Sequence, residues 1–325
     1  MKHLITAAGL VLATQAVAET PTLTIYTYDS FATEWGPGPQ IEAGFEAVCG
    51  CDLKFVTAGD GAALLSRLRL EGDRTEADVV LGLDTNLIGA ARETGLFAPA
   101  QIEADYALPI SWSDPDFVPF DWGYFAFIGQ RGAAMPASFK ELADSDLTVV
   151  IQDPRSSTPG LGLLFWVKQA YGDAAADIWS RLSDNIVTVT PGWSEAYGMF
   201  TDGEVDLVLS YTTSPAYHII AEEDDSKVAL PFTEGHYLQV EVAGLVAGSS
   251  QTDLGRQFLG YLVSDAAQSV IPTTNWMYPA VDPADGLPKG FEDLIQPEKA
   301  LLLPPEEVDE LRPVALEEWR AALSR

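Results

Sequence analysis

The chain has 325 residues, enough for two domains with cores of their own, and 47% hydrophobic with 10% aromatic side chains exclude a disordered or fibrous protein. Eighteen Lys and Arg stand against 48 Asp and Glu, a formal net charge of -30, which excludes nucleic acid as a partner because phosphate binding rests on basic side chains. The same acidity can draw in a cation over long range, or only keep the surface solvated, as in a salty habitat.

Met1–Ala18 has the form of a secretory leader, with Lys2 in the n-region, an apolar core around Ala7–Ala13 and Ala16-Val17-Ala18 as a small-x-small cleavage site. That run is too short to span a bilayer, and no later stretch offers about 20 apolar residues. Without a lipobox cysteine, the expectation is a soluble exported protein cut after Ala18. Cys49 and Cys51 are the only cysteines. Export favours a disulfide between them, although one intervening residue closes a small, strained ring. A metal site would need more Cys or His nearby.

Thr22–Tyr28 alternates β-formers and reads as the first strand. A Gly/Pro-rich loop, Asp29–Pro39, carries Trp35; Ile41–Val48 reads as a helix and Asp52–Thr57 as the second strand. After Gly59-Asp60-Gly61, a helix over Ala62–Glu71 puts Leu64, Leu65 and Leu68 on one face. Asp78–Leu81 is the third strand, and the β-α-β-α-β alternation implies a parallel sheet covered on both sides. Phe117–Ile128, aromatic and not helical in period, suits a strand crossing between domains. The pattern then restarts: strand Thr148–Gln152, turn Asp153–Gly160, helix Leu161–Tyr171 and a helical stretch around Asp173–Leu182. His236–Ala247 is a second long extended segment, followed by a helix at Thr252–Val263, a loop Asn275–Tyr278 and a helical Pro304–Ser324.

Gly192–His218 is the densest stretch: a short helix, a turn at Asp202-Gly203, a buried strand Asp206–Ser210, then Tyr211, Thr212, Thr213 and Ser214 at its carboxyl end. Open α/β sheets bind ligands beyond the carboxyl ends of their strands. Ser214-Pro215 has the form of a helix start, Ser as N-cap and Pro first. With Asp60-Gly61, Thr158-Pro159 and Ser194-Glu195, four helix starts present free N–H groups; they are ordinary caps singly and an anion site if they converge. Tyr28, Trp35, Trp193, Tyr211, Tyr217 and Trp276 lie in loops or at strand ends, unlike Phe125, Phe127 and Trp166, which suit a core. With Asp29, Asp60 and Asp84 nearby in the reading, these rings suit a flat cation.

Other chemistry is poorly supplied. Only His218 and His236 remain beyond the leader, too few for a metal centre. Ser194, Ser210 and Ser214 lack a G-x-S-x-G elbow. Arg155 can reach a phosphate or pair with Asp153. No catalytic residue and no cofactor are assigned.

Seven segments together carry a resemblance: Tyr26–Pro39, Ala77–Leu83, Gln152–Leu164, Gly192–Gly198, Leu207–His218, Glu234–Glu241 and Ile271–Pro279. They are similar, over nearly all of the chain after the leader, to the periplasmic thiamine-binding proteins of ABC importers. The match fades at Ile88–Asp116, Ala221–Leu230 and the last forty residues; Trp122 replaces an expected tyrosine and Thr85 an expected asparagine. The resemblance implies an α/β, two-lobed type II periplasmic binding fold, each lobe a mixed, mainly parallel sheet flanked by helices and joined by crossing strands. Lobe one would hold residues 19–118 and 236–285, lobe two 119–235 and 286–325. It implies a periplasmic, monomeric receptor without catalysis, whose ligand is thiamine, thiamine phosphate or thiamine diphosphate. Its partners would be an inner-membrane ABC permease and its ATPase. Carried over by motif, Asp60 and Gly61 bind the ligand from lobe one. Ser157, Thr158, Trp193 and Tyr211, Thr212, Thr213 and Ser214 bind it from lobe two, and Tyr28, Trp35, Tyr217 and Trp276 complete the wall. A receptor for polyamines or other organic cations, and a thiaminase-I-like enzyme using a cleft cysteine, are the alternatives.

Overall fold

The structure, a computed structural model, describes residues 20–324; the expected leader, Met1–Ala18, lies outside them. The strands are β1 (Thr22–Thr27), β2 (Asp52–Thr57), β3 (Val79–Asp84), β4 (Phe97–Ala98), β5 (Phe117–Gln130) and β6 (Val149–Gln152). They continue with β7 (Ile186–Thr190), β8 (Leu207–Tyr211), β9 (Lys227–Ala229), β10 (His236–Val246), β11 (Tyr278–Pro279) and β12 (Ala300–Leu301). Among the helices are α1 (Gly38–Cys49), α2 (Gly61–Glu71), α3 (Ile88–Arg92), α4 (Phe139–Ala143), α5 (Thr158–Tyr171) and α6 (Ala175–Leu182). They are followed by α7 (Trp193–Thr201), α8 (Pro215–Ala221), α9 (Thr252–Leu262), α10 (Asp265–Gln268), α11 (Ile271–Thr274) and α12 (Pro305–Leu323).

The main hydrogen-bonded path runs β2-β1-β3-β10-β5-β8-β6-β7. β1 is parallel to β2 and β3, and β6 is parallel to β7 and β8. Between these parallel groups β10 and β5 run antiparallel to each other and to their outer neighbours. β5 serves both groups: Phe117–Tyr124 pairs with β10 and Phe125–Ile128 with β8. The mixed, mainly parallel α/β architecture expected from the sequence is the one observed. The expected boundary at 118/119 falls inside β5, and the one at 235/236 falls where β10 begins.

Covering on both faces explains why the inner strands read as unbroken apolar runs. In β1, Leu23 and Ile25 belong to the core under α1 and α9, whereas Tyr26 turns to the core under α2. In β3, Val79 and Leu81 face the first of these and Val80 the second, the two-residue period of a strand. Phe125, Phe127 and Trp166 are buried as expected, with α5, α6 and α12 around them. Cys49 and Cys51 form a disulfide at the end of α1. No helix among the described residues is long and apolar enough to cross a membrane.

Five local readings need correction. β3 runs on through Gly82 to Asp84 rather than ending at Leu81; Gly82 has φ +103 and a Cβ there would sit 2.2 Å from the Tyr28 ring, so glycine marks a close approach and not a break. β7 had no counterpart in the sequence reading, because this edge strand follows α6 after only Ser183–Asn185. α5 begins at the Thr158-Pro159 helix start, three residues before the helix bound read at Leu161, and α7 begins at Trp193 rather than Ser194. Ser214 precedes α8 but makes no cap bond; its hydroxyl is used elsewhere.

Candidate functional site

A cavity of about 610 Å³ opens where the carboxyl ends of β1 and β8 meet the starts of α2, α5 and α7. Tyr28, Trp35, Trp193, Tyr211, Tyr217 and Trp276 all line it. So do Asp60, Thr158 and Ser214. The other four expected residues, Gly61, Ser157, Thr212 and Thr213, stand directly behind this lining. Gly61 lets α2 start close in: a Cβ would lie 2.6 Å from the Gly82 carbonyl and 2.7 Å from Thr158 Oγ1. Ser157 is fully buried and its hydroxyl donates to Asp60 at 2.6 Å. Thr213 Oγ1 donates to Met277 Sδ at 3.6 Å, and the Thr212 N–H donates to the Tyr124 carbonyl at 2.8 Å.

Each aromatic wall follows from local sequence. Trp193 is the first residue of α7, so the helix projects Tyr197, four residues on, against the same face; the two rings stack at 4.8 Å. The Trp193 indole N–H donates to Ser210 Oγ at 2.8 Å, and Ser210 Oγ shares a 2.7 Å bond with Ser214 Oγ. Ser214 Oγ also accepts the Tyr211 N–H at 3.1 Å, which is why it is not free to cap α8. Trp35, 53% exposed, lies 6.5 Å from Trp193. A second pair, Tyr217 and Trp276, meets edge to face at 5.3 Å. Trp276 follows α11 with φ +57, a left-handed backbone that bulky side chains seldom adopt and that marks functional sites.

Asp60 ties the two ends of the chain's α/β pattern together. Its Oδ2 accepts from Ser157 Oγ at 2.6 Å and from the Trp193 N–H at 3.2 Å, so β2–α2, β6–α5 and β7–α7 connections converge on one carboxylate. Burial pushes its carboxyl up to about 6, while those two hydrogen bonds pull it back. Asp29 stays exposed, receiving the Gly59 N–H at 3.1 Å, and Asp84 is buried below the cavity.

The cavity floor carries a carboxylate outside the expected set. Glu241 of β10 lines it; Tyr28 OH donates to its Oε2 at 2.9 Å and Gln239 Nε2 to its Oε1 at 2.8 Å. Asn275, also in the lining, donates to Tyr28 OH at 2.9 Å and to Asp121 Oδ2 at 2.5 Å. Tyr197 and Asn275 were equally unforeseen. All three sit inside quoted segments or one helical turn from Trp193, and that proximity is the signal that could have found them. The described residues that line the cavity include no Lys or Arg. Arg155 instead pairs with Asp153, Nε to Oδ1 at 2.8 Å, on an exposed surface.

One trio among the described residues brings metal-ligand types together: His218, Glu222 and Asp224. Every such atom already has a protein partner. His218 Nδ1 meets Glu222 Oε2 at 2.6 Å and its Nε2 meets Tyr197 OH at 2.9 Å, while Tyr217 OH donates to Glu222 Oε1 at 2.9 Å. Asp224 is held by Ser226 and Lys227. The trio braces Tyr197 and Tyr217, one ring from each wall.

The site can therefore enclose a flat, positively charged molecule between paired rings, with carboxylates below and helix starts at one edge. The family profile of bacterial extracellular solute-binding proteins matches residues 39–273. The chain is 53% identical over 321 residues to the thiamine-binding periplasmic protein of Escherichia coli (strain K12), covering 97% of this chain and 98% of that one. To the thiamine-binding periplasmic protein of Brucella suis biovar 1 it is 50% identical over 322 residues, 98% and 96% of the two chains. A solved periplasmic thiamin binding protein superposes with a TM-score of 0.92 at 52% identity, over 97% of this chain and 100% of that one. Its fold is the type II periplasmic binding fold. The chain belongs to the bacterial extracellular solute-binding proteins, and within them to the family of the periplasmic thiamine-binding proteins.

Proposed function

We propose that this protein is a periplasmic receptor for thiamine, without catalysis of its own, that delivers its ligand to an inner-membrane ABC permease powered by its ATPase. The observation that carries this reading is the cavity: two aromatic walls, a carboxylate floor and no lining Lys or Arg. Thiamine's thiazolium is permanently cationic and flat, so it gains from ring faces and from buried carboxylates. Its hydroxyethyl tail, or a phosphate ester there, would lie at the starts of α5 and α7, whose positive dipole ends favour oxygen ligands. Asp60, Thr158, Trp193, Tyr211, Ser214, Tyr28, Trp35, Tyr217 and Trp276 form the contact layer in this reading, with Gly61, Ser157, Thr212 and Thr213 supporting it. Residues 19–118 with 236–285, and 119–235 with 286–325, act as two lobes that close by bending at β5 and β10, and the protein works as a monomer.

The enzyme alternative is disfavoured by its nucleophile: Cys49 and Cys51 are bonded to each other at the far end of α1, and neither lines the cavity. Calorimetric titration with thiamine, thiamine phosphate, thiamine diphosphate and spermidine tests the reading. Binding of the first two with a shift in tryptophan fluorescence is expected, with the diphosphate weaker for want of a basic side chain. Tighter binding of spermidine would move the assignment to polyamines. Recovery of cleaved pyrimidine product by mass spectrometry would refute a pure receptor.

A further inference from the structure

Three carboxyl groups form a row beneath the cavity. Asp84 ends β3, Glu241 sits in β10 and Asp121 in β5, and the strand register places Glu241 opposite both of the others. Residues directly opposed on adjacent strands share a face, and like charges there repel. Asp84 and Asp121 are fully buried and Glu241 is 6% exposed, at the cavity floor. β10 shifts register against β5 between Glu241 and Val242 and against β3 between Val242 and Ala243, so the row coincides with an irregularity in both pairings. Tyr28 and Gln239 donate to Glu241, Asn275 to Asp121 Oδ2, and the Asn86 N–H to Asp84 Oδ1. Asp84 Oδ2 and Asp121 Oδ1 meet no donor. A buried carboxylate oxygen left so is costly, whereas a proton there cancels the charge and supplies a donor.

We propose that the Asp84–Glu241–Asp121 row stores protons for the cavity, and that Glu241 selects the positive charge of the ligand by giving up its proton when an organic cation enters. The balance is a simple exchange: a carboxylic acid and a cation become a carboxylate–cation pair, and one proton leaves to the solvent. This rests on the reading of the cavity as a thiamine site and deepens it. Burial, then the neighbouring Asp121, hold Glu241 well above the ordinary carboxyl range; burial raises Asp121 too and takes Asp84 to about 6. The other groups felt in this neighbourhood are the Tyr28 phenol, Tyr211 from β8, Asp60 before α2, and Arg312 of α12, which acts on Asp84. Asp60 and Asp84, both raised to about 6, are ionised by pH 7.5, so a proton released at that pH comes from Glu241 and Asp121.

Calorimetry of thiamine binding at pH 7.5, in phosphate and in Tris, counts the protons released from the difference in heat between buffers. Release of about half to one proton is expected, with affinity rising by up to about tenfold per pH unit between pH 6.5 and 8.5. Glu241→Gln should release none and bind with a flat pH profile. Asp121→Asn, which keeps an acceptor for Asn275 and removes the like-charged neighbour, should release less than the unaltered protein, and it serves as the test if the first variant does not fold. Tight thiamine binding with no proton exchange, or release unchanged in Glu241→Gln, overturns the inference and leaves the receptor reading standing. Failure of the unaltered protein to bind thiamine at any pH sinks both.

Discussion

The walls and the floor of the cavity are built by different parts of the chain, and the contrast separates shape from charge. The walls come from loops and helix starts: Trp35 before α1, Trp193 opening α7, Tyr217 in α8 and Trp276 after α11. None is deeply buried. The floor comes from β3, β5 and β10, whose carboxyl groups are held by strand register, Asp84 and Asp121 fully buried and Glu241 open only to the cavity. Substitutions in the walls should therefore change affinity and spare stability, whereas substitutions in the floor should change both.

The sharpest test of the wall is Trp193→Ala. It removes the stack on Tyr197 and the bond to Ser210, and thiamine affinity should fall by about 1.5–3 kcal/mol. Tyr211→Ala should weaken binding by more than about 1 kcal/mol. Calorimetry giving unchanged affinity for both would break the contrast at its stronger side. In the floor, Asn275→Ala strips Asp121 Oδ2 of its donor. A loss of about 1–3 kcal/mol of stability in urea denaturation is expected; an affinity change with stability intact would mean the floor behaves like a wall.

pH acts on the floor as a whole. The folded protein holds protons on Glu241, Asp121, Asp84 and Asp60 that the unfolded chain would release. Stability from these groups is complete below the unfolded carboxyl range and is lost as pH rises through the folded values. Paired carboxylates held low, such as Asp153 beside Arg155, act oppositely and lose their contribution in acid. The melting temperature should thus peak near pH 5 and decline by pH 8, and a rise over that interval would contradict the protonated floor. The smallest effect belongs to Trp35→Ala, about 0.5–1 kcal/mol in affinity, because solvent already screens half of that ring.

The walls were legible in the sequence because loop aromatics break the periodicity of their surroundings: Trp193 after Pro191-Gly192 and Trp276 after Asn275 belong to no apolar stripe. Repeated strand–helix alternation gave the α/β class for the same reason. The floor was not legible. Glu241 follows Gln239-Val240 within an otherwise apolar strand, and Asp121 interrupts an aromatic one, so each reads alone as an isolated polar residue inside a strand. Only the pairing of β3, β10 and β5 places the three carboxyl groups side by side, and strand pairing across more than a hundred residues leaves no local trace. β7 was missed more simply: I-V-T-V-T is strand-like in composition, but its place directly after a helix hid it.

The Cys49–Cys51 bond has a practical consequence. It encloses a single residue, so it removes little freedom from the unfolded chain, about 1–2 kcal/mol against the larger gain from bridging distant segments. Material made in a reducing cytosol, with both thiols intact, should therefore fold and capture its vitamin as well as material recovered from an oxidising compartment, which simplifies production for every measurement above.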